Sequence, residues 1–222
     1  MEVKAPGAIA GRVTFKGPVP PPRTIRIDKD RPTCKHHPAL VPLIVVDDQG
    51  NVSEAVVSLA DVDEGKGFSR ADSRIKVNQH GCRFRPHVQA FPAGTTVKLV
   101  NSDPVAHNVN ATKGGGTLFN ILQPHEGMSA TYRFDESGVV TLKCNVHDWM
   151  SGYLHVMEHP YYQVTGTDGA FRLKRVPPGK YSLRVWQEHL GERSMAVVVE
   201  AGKTTELNIE LTAAPANSRA AK

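Results

Sequence analysis

The chain has 222 residues, of which 40% are hydrophobic and 22% charged, as is typical of a globular protein with one large or two small β domains. Its formal net charge is +5, but the 27 basic residues are scattered. This distribution predicts a mildly basic surface or steering toward an acidic partner protein, and it argues against nucleic-acid binding. No apolar run reaches the roughly 20 residues that a membrane-spanning helix needs.

Short stretches with alternating or β-branched apolar residues predict strands along almost the whole chain. They are residues 9–15, 24–27, 43–46, 55–59, 95–100, 130–134, 139–144, 152–156, 171–173, 181–185, 196–199 and 206–211. Turn residues lie between them, and no amphipathic helical pattern of about 10 residues occurs. We therefore predict an all-β chain that forms sandwiches or barrels.

Four segments are predicted to lie outside strands. Residues 18–22 hold four prolines, which cannot lie inside a sheet. Residues 62–73 are polar and predict a linker, and the three glycines at 114–116 predict a loop. Residues 214–222 are small and polar, and they predict a flexible tail.

The three cysteines, Cys34, Cys82 and Cys144, bear on both the redox compartment and the chemistry. In an oxidising compartment an odd number indicates one disulfide and one thiol with another role. Cys144 has histidine and methionine neighbours, so we expect a Cys34–Cys82 disulfide; the alternative is three reduced structural thiols. Residues 1–11 lack the apolar core of a signal peptide, which fits a cytoplasmic protein or a mature secreted chain with an added initiator Met.

The strongest chemical signal lies in residues 144–150, which contain Cys144, His147 and Met150. Soft sulfur ligands together with imidazole favour copper, and two histidines, one cysteine and a weak axial methionine form the ligand set of blue-copper electron-transfer sites. Zinc also accepts cysteine and histidine. The candidate for the second histidine is His107, which follows the predicted strand 95–100. Its neighbour Asn108 is placed to brace the ligand loops by hydrogen bonds.

These two segments resemble those of the cupredoxins, in particular amicyanin and pseudoazurin-type proteins. The resemblance rests on Asn101 and His107-Asn108-Val109, followed by the Cys144, His147 and Met150 pattern, and it covers about residues 74–157. It implies a Greek-key cupredoxin sandwich in which His107, Cys144, His147 and Met150 hold one copper ion. A degenerate cupredoxin that binds no metal is the alternative.

The flanking segments resemble the carboxypeptidase regulatory-like domain, a small prealbumin-like β-sandwich. The similar residues are Gly11-Arg12-Val13, residues 50–59, 165–173 and 176–186. The resemblance implies a discontinuous domain at 6–60 and 160–213, with the copper domain inserted at 74–157. Such a domain is expected to dock or position the copper domain. Its aromatic residues, Tyr161, Tyr162 and Trp186, either pack in the core or bind a sugar or a protein partner.

Together these patterns predict a periplasmic or secreted type 1 copper protein that exchanges single electrons with a redox partner protein. It is expected to be no enzyme, since four protein ligands leave no open position for a small-molecule substrate. The alternatives are a periplasmic protein for copper storage, delivery or resistance that uses the same ligands, and a metal-free binding module.

The remaining histidines have weaker signals. His36 and His37 adjoin Cys34, and they form either a second, weaker metal site or ordinary loop residues. His87 is either a strand-edge residue or a neighbour of the copper site. Met157 is a weaker candidate for the axial ligand. The last group is expected at the surface or between domains: His125, His155, His159 and His189.

Overall fold

The structure is a computed structural model that describes residues 3–60, 62, 65, 67 and 75–213. The predicted tail at 214–222, most of the predicted linker at 62–73 and residue 74 lie outside the described residues. Strands dominate, and the predicted all-β class is confirmed. No helix among the described residues is long and apolar enough to span a membrane.

Within the described residues, nineteen strands and one short helix follow one another. The first half contains β1 (Gly7–Lys16), β2 (Arg23–Thr24), α1 (Arg31–Cys34), β3 (Leu40–Val41), β4 (Val56–Ala60), β5 (Lys76–Gln79), β6 (Phe84–Arg85), β7 (Val88–Pro92), β8 (Thr95–Asn101) and β9 (His107–Lys113). The second half contains β10 (Gly116–Gln123), β11 (Ser129–Phe134), β12 (Gly138–Lys143), β13 (Ser151–Met157), β14 (Tyr162–Val164), β15 (Ala170–Val176), β16 (Gly179–Gln187), β17 (Gly191–Val199), β18 (Thr204–Glu206) and β19 (Ile209–Thr212).

The chain divides into two compact units. The first unit comprises Met1–Pro22, Pro42–Gly67 and Tyr161–Lys222, and the second comprises Arg23–Val41 and Phe68–Pro160. The predicted range 6–60 differs from this division, because the structure groups residues 23–41 with the second unit. Ile25 is buried in the second unit's core, and a disulfide joins Cys34 to Cys82.

The first unit is built from two sheets around an apolar core. One sheet has the order β15-β1-β18, with β19 also paired to β1, and the other has the order β14-β4-β16-β17. Buried residues from both sheets share one cluster, including Ile9 and Val13 of β1 and Leu183 and Val185 of β16. Tyr161 is fully buried in this cluster, which favours core packing over ligand binding for that residue.

The second unit also contains two sheets. Their orders are β10-β9-β12-β13-β7 and β11-β8-β5-β6. The chain changes sheet between β6 and β7, β7 and β8, β8 and β9, β10 and β11, and β11 and β12, a Greek-key arrangement. The core lies between the sheets, where Val97 and Leu99 of β8 share one cluster with Val109 of β9 and Leu142 of β12. This sandwich carries the loops of the candidate site at one end.

Two local predictions have different outcomes. The loop predicted at 114–116 is a two-residue turn, in which Gly114 (φ 57°) and Gly115 (φ 84°) link β9 to β10. Positive φ at both positions is what a tight hairpin requires, and glycine adopts it without steric cost. The strand predicted at 43–46 is wrong, since this segment has only an isolated bridge between Val46 and Val52.

Candidate metal centre

Sheet pairing in the second unit brings His107 and Cys144 together. Strands β9 and β12 are antiparallel neighbours in which Asn110 lies opposite Lys143. His107 is the first residue of β9, and Cys144 directly follows the last residue of β12. Because the two strands are antiparallel, both residues lie at the same end of the sheet. The Sγ atom of Cys144 is 3.9 Å from Nδ1 of His107.

A tight loop returns His147 to the same point. The amide of Met150 donates to the carbonyl of His147 over 3.0 Å, and the amide of Cys144 donates to the carbonyl of Met150 over 3.4 Å. The loop places Nδ1 of His147 at 3.9 Å from the Cys144 sulfur and 3.0 Å from Nδ1 of His107. Met150 is buried in the same apolar cluster as Cys144.

The three ligand atoms fit a metal ion. Their separations of 3.9, 3.9 and 3.0 Å define a triangle. A point in its plane lies about 2.1 Å from all three atoms. Zinc, for comparison, binds imidazole nitrogen at about 2.0–2.1 Å and thiolate sulfur at about 2.3 Å. Two ring nitrogens that face each other at 3.0 Å can share one proton or one cation, but they cannot both carry a proton. The donor set is thus suited to a soft metal.

The environment of Cys144 favours its thiolate. Burial raises the pKa of Cys144, but the contacts with His107 and His147 and the hydrogen bond from the amide of Asn108 outweigh it and lower the pKa to about 6. The amide of Asn108 lies 3.5 Å from the sulfur. Because a metal binds the thiolate rather than the thiol, the site presents the ligand form needed at neutral pH.

His107 is oriented by a buried carboxylate. Its Nε2 lies 2.9 Å from Oδ2 of Asp103. A carboxylate only accepts, so Nε2 carries the proton and Nδ1 faces Cys144. Burial lowers the pKa of His107, but the hydrogen bonds with Asp103 and Cys144 raise it to about 9.

Asp103 is itself held in place by main-chain donors. The amides of Gly81 and Cys82 each donate to its carboxylate over 2.8 Å. Burial raises the pKa of Asp103, but its hydrogen bonds with His107 and the two amides bring the pKa below its usual value. The carboxylate therefore stays ionised beside His107.

Asn108 links the two ligand segments. Its side-chain oxygen accepts from the amide of Asn145, the residue after Cys144, and its side-chain nitrogen donates to Oδ1 of Asn120 on β10. The structure thus places Asn108 where the sequence expected a bracing residue, between the His107 strand and the Cys144 loop.

The sequence analysis missed a residue that contacts His147 from the other side. The Nε2 atom of His147 lies 3.0 Å from Oδ2 of Asp30 and 3.7 Å from Sγ of Cys34. Cys34 is joined to Cys82, the pair that the sequence singled out. No local pattern could have identified Asp30, because it is 117 positions from His147. Asp103 was identifiable, since it is four residues before His107 in the same loop.

The other histidines that the sequence analysis weighs make different contacts. His36 is exposed, whereas His37 is buried against the ring of Trp149 at 6.5 Å. His87 contacts the carbonyl of Ser151 at 3.0 Å and the ring of Tyr153. The surface position expected as one alternative for His155 is wrong, because this residue is only 6% exposed in β13. Met157 ends β13, opposite Pro92 of β7.

Comparisons with known proteins match separate parts of the chain. Residues 156–212 match the family model of the carboxypeptidase regulatory-like domain. No curated protein matches.

Several solved structures are similar to this chain. A novel purple cupredoxin from Nitrosopumilus maritimus is 26% identical, covers 37% of this chain and 99% of its own, and has a TM-score of 0.34. Amicyanin from Paracoccus versutus is 19% identical over 46% of this chain and 97% of its own, with a TM-score of 0.35. The copper-containing nitrite reductase from Thermus scotoductus SA-01 is 22% identical over 46% of this chain, with a TM-score of 0.35, and the match spans only 28% of the reductase. The chain is thus similar to the carboxypeptidase regulatory-like domain over residues 156–212 and, over less than half of its length, to solved cupredoxin structures.

Proposed function

We propose that the second unit binds one copper ion through His107, Cys144 and His147, with Met150 as a fourth ligand, and that the protein carries single electrons. The observation that supports this most is the triangle of two imidazole nitrogens and one cysteine sulfur. Copper in such a ligand set cycles between its cuprous and cupric states by one electron.

The chain's own residues supply what an electron carrier needs. His107 and His147 are 0% exposed and Cys144 is 2% exposed, so water and small molecules have little access to the ligand atoms. The ligands come from adjacent strands and one tight loop, which Asn108 braces. A rigid, enclosed ligand set favours electron transfer over substrate turnover, and we infer that the protein is no enzyme but acts with a redox partner protein.

The disulfide supports an oxidising compartment. Cys34 and Cys82 are both fully buried and joined, whereas Cys144 is the free cysteine. Disulfides persist in the periplasm and outside the cell, and they are rare in the cytosol. We therefore place the protein in the periplasm or among secreted proteins.

The first unit is assigned a structural role. Its core consists of aliphatic and aromatic residues such as Ile9, Leu183 and Phe171. Among the described residues, every group of three side chains that could hold a metal ion lies in the second unit. We infer that the first unit is a carboxypeptidase regulatory-like sandwich that positions or docks the copper unit and has no chemistry of its own.

A copper titration tests the proposed function. Adding one equivalent of cupric ion to the metal-free protein is expected to produce strong visible absorption from thiolate-to-copper charge transfer. Cys144→Ser should abolish this absorption. Asn145→Ser, a change in the same loop outside the triangle, should retain it. Absence of colour and of retained copper in the unmodified protein would contradict the proposal and favour a metal-free module.

Voltammetry then separates electron transfer from copper delivery. A carrier is expected to show a reversible one-electron wave and to keep its copper through repeated cycles. Loss of copper whenever the protein is reduced would contradict the electron-carrier role and favour storage or delivery.

A further inference from the structure

Residues 23–41 form a segment, here called the strap, that lies over the metal centre within the second unit. Its ends pair as a short antiparallel hairpin, with Arg23 opposite Val41 and Thr24 opposite Leu40. Its middle is fixed by the Cys34–Cys82 disulfide, and Nζ of Lys29 donates to the carbonyl of Val146 in the ligand loop over 3.2 Å. The strap is therefore attached to both sides of the candidate site.

The strap presents Asp30 to the outer nitrogen of His147. Oδ2 of Asp30 lies 3.0 Å from Nε2, and the His147 side chain is 0% exposed while that of Asp30 is 40% exposed. The outer nitrogen of His147 thus meets a carboxylate instead of water. Since a carboxylate only accepts hydrogen bonds, this contact selects the tautomer with the proton on Nε2 and leaves the lone pair of Nδ1 free.

The backbone holds Asp30 in the orientation that this contact needs. Asp30 adopts a left-handed conformation (φ 45°, ψ 39°), and its carbonyl accepts from the amides of Thr33 and Cys34 over 3.0 and 2.9 Å. Cys34 carries the disulfide, so the turn that directs the carboxylate is joined to the covalent anchor of the strap. Asparagine and glycine also tolerate left-handed backbone, which provides variants that alter the side chain alone.

We propose that Asp30 is a positioning residue for His147: through its hydrogen bond to Nε2 it holds the ring so that Nδ1 faces Cys144 and His107. Together with Asp103 on His107, it gives each imidazole of the triangle a carboxylate on the nitrogen that faces away from Cys144. The strap then both covers the candidate metal centre and orients one of its histidines. The role toward copper rests on the proposed function, whereas the choice of tautomer does not.

The first test uses metal-free protein and nitrogen-15 NMR of the histidine rings. The unmodified protein is expected to show His147 protonated at Nε2. Asp30→Gly removes the acceptor and should shift His147 toward the other tautomer or to a mixture, and Asp30→Asn should have a smaller effect. Asp28→Asn, which removes the same charge from an exposed position on the strap, should change nothing. An unchanged His147 tautomer in a folded Asp30→Gly protein would overturn the proposal.

The second test measures copper binding and the reduction potential. Loss of a residue that orients a metal-binding histidine typically weakens metal affinity by about 10–100-fold, and we expect about tenfold for Asp30→Gly and less for Asp30→Asn. The potential should rise in both variants, because a negative charge that favours the cupric state is removed. Asp28→Asn should leave affinity and potential close to those of the unmodified protein.

The outcomes separate the two proposals. If the unmodified protein binds no copper, the proposed function fails, while the NMR result still decides the role of Asp30. If it binds copper and Asp30→Gly binds equally tightly at the same potential, the role of Asp30 toward the metal is overturned. An Asp28→Asn effect as large as that of Asp30→Asn would also overturn it, because charge alone would then suffice. Should Asp30→Gly not fold, Asp30→Ala carries the same decision, because it also removes the acceptor.

Discussion

The two units are both β-sandwiches, yet they bury different kinds of side chain. The first unit's core is almost wholly apolar, and its buried polar residues, such as Thr165 and Asn51, mainly complete turns and main-chain hydrogen bonds. The second unit buries two histidines, a carboxylate and a thiol within a few ångströms of one another. Burial of such groups is costly unless they are paired, so their concentration at one end of a sandwich indicates function there and not in the shared architecture.

The hydrogen-bonding pattern leads to the same distinction. In the second unit Asn101 donates through its side chain to the carbonyls of Val105 and Gln123, and it accepts from the amide of Asp103. These contacts fix the loop that carries Asp103 and leads to His107. This polar network thus fixes the candidate metal site, whereas the polar contacts of Thr165 and Asn51 in the first unit join neighbouring main-chain segments.

Each unit contains one tryptophan, Trp186 in the first and Trp149 in the second. The unfolding of each unit can therefore be followed separately. Proteins with Trp149→Phe or Trp186→Phe retain a single fluorescent reporter. A perturbation that belongs to one unit should appear mainly in the unfolding curve of that unit's tryptophan.

The largest expected change in stability is in the second unit. The disulfide joins two positions of the second unit that are 48 residues apart, and replacing both cysteines by Cys34→Ala and Cys82→Ala should lower that unit's free energy of unfolding by up to about 4 kcal/mol, because the unfolded second unit is then no longer tethered at these positions. Urea unfolding followed by Trp149 measures this loss. A reductant should produce the loss in the unmodified protein but not in the variant. A loss seen equally by Trp186 would contradict the separation of the units.

The next largest change in stability is expected in the first unit. Leu183 is 0% exposed between the two sheets, and Leu183→Ala should cost about 3 kcal/mol through lost burial and the cavity left behind. Trp186 fluorescence during urea unfolding reports it, while copper-dependent colour should be unaffected. Val198→Ala, at an exposed position of β17, is the control and should change stability little. Loss of the copper-dependent colour in Leu183→Ala would contradict the independence of the two units.

A smaller effect depends on pH. Burial lowers the pKa of His155 to about 4 from the value of 6.5 expected in the unfolded chain. The unfolded chain therefore takes up a proton that the folded chain refuses, and stability is full above pH 6.5 and falls as the pH drops toward 4. Between pH 7 and pH 5 the titration of His155 alone should lower the stability of the second unit by about 2 kcal/mol, in addition to the separate contributions of His107 and Cys144.

Substitution assigns this pH dependence to His155. His155→Gln should reduce the fall in unfolding free energy that Trp149 reports between pH 7 and pH 5. His125→Gln, at an exposed residue, should leave that fall unchanged. An equally steep decline in His155→Gln would show that other groups govern the acid sensitivity.

The smallest effect concerns a buried hydroxyl of the first unit. Oγ1 of Thr165 donates to the carbonyl of Val52 over 2.7 Å and accepts from the amide of Ala55 over 3.0 Å. Thr165→Val keeps the shape but leaves both main-chain groups without this partner, and it should cost about 1 kcal/mol. Thr165→Ser keeps the hydroxyl and should cost less. The reverse order, measured with Trp186, would rule out the hydrogen bonds as the cause.

Regular alternation made much of the fold predictable. In β8 the buried residues Thr95, Val97, Leu99 and Asn101 alternate with exposed or half-buried ones, which is the two-residue period of a strand packed on one face. The same signal predicted β1, β4, β13 and β16 within a few residues of their ends. The all-β class follows from such local patterns, because each records which face of a strand is buried.

Strands β9 and β10 escaped prediction because they carry the site. In β9, polar His107 and Asn108 are buried beside Val109, and Asn120 of β10 bonds to Asn108. These polar side chains form the candidate metal site and its hydrogen bonds, so the apolar alternation that identifies a strand is interrupted there. Asp30 escaped for another reason, since its contact with His147 exists only after the strap has folded over the sandwich.

X-ray absorption of the copper-loaded protein identifies the atoms that bind the metal ion. We expect two nitrogen neighbours from His107 and His147 and one short sulfur neighbour, with the sulfur lost in Cys144→Ser. A spectrum of the unmodified protein that contains only nitrogen and oxygen neighbours would contradict the claim that these three residues converge on one metal ion.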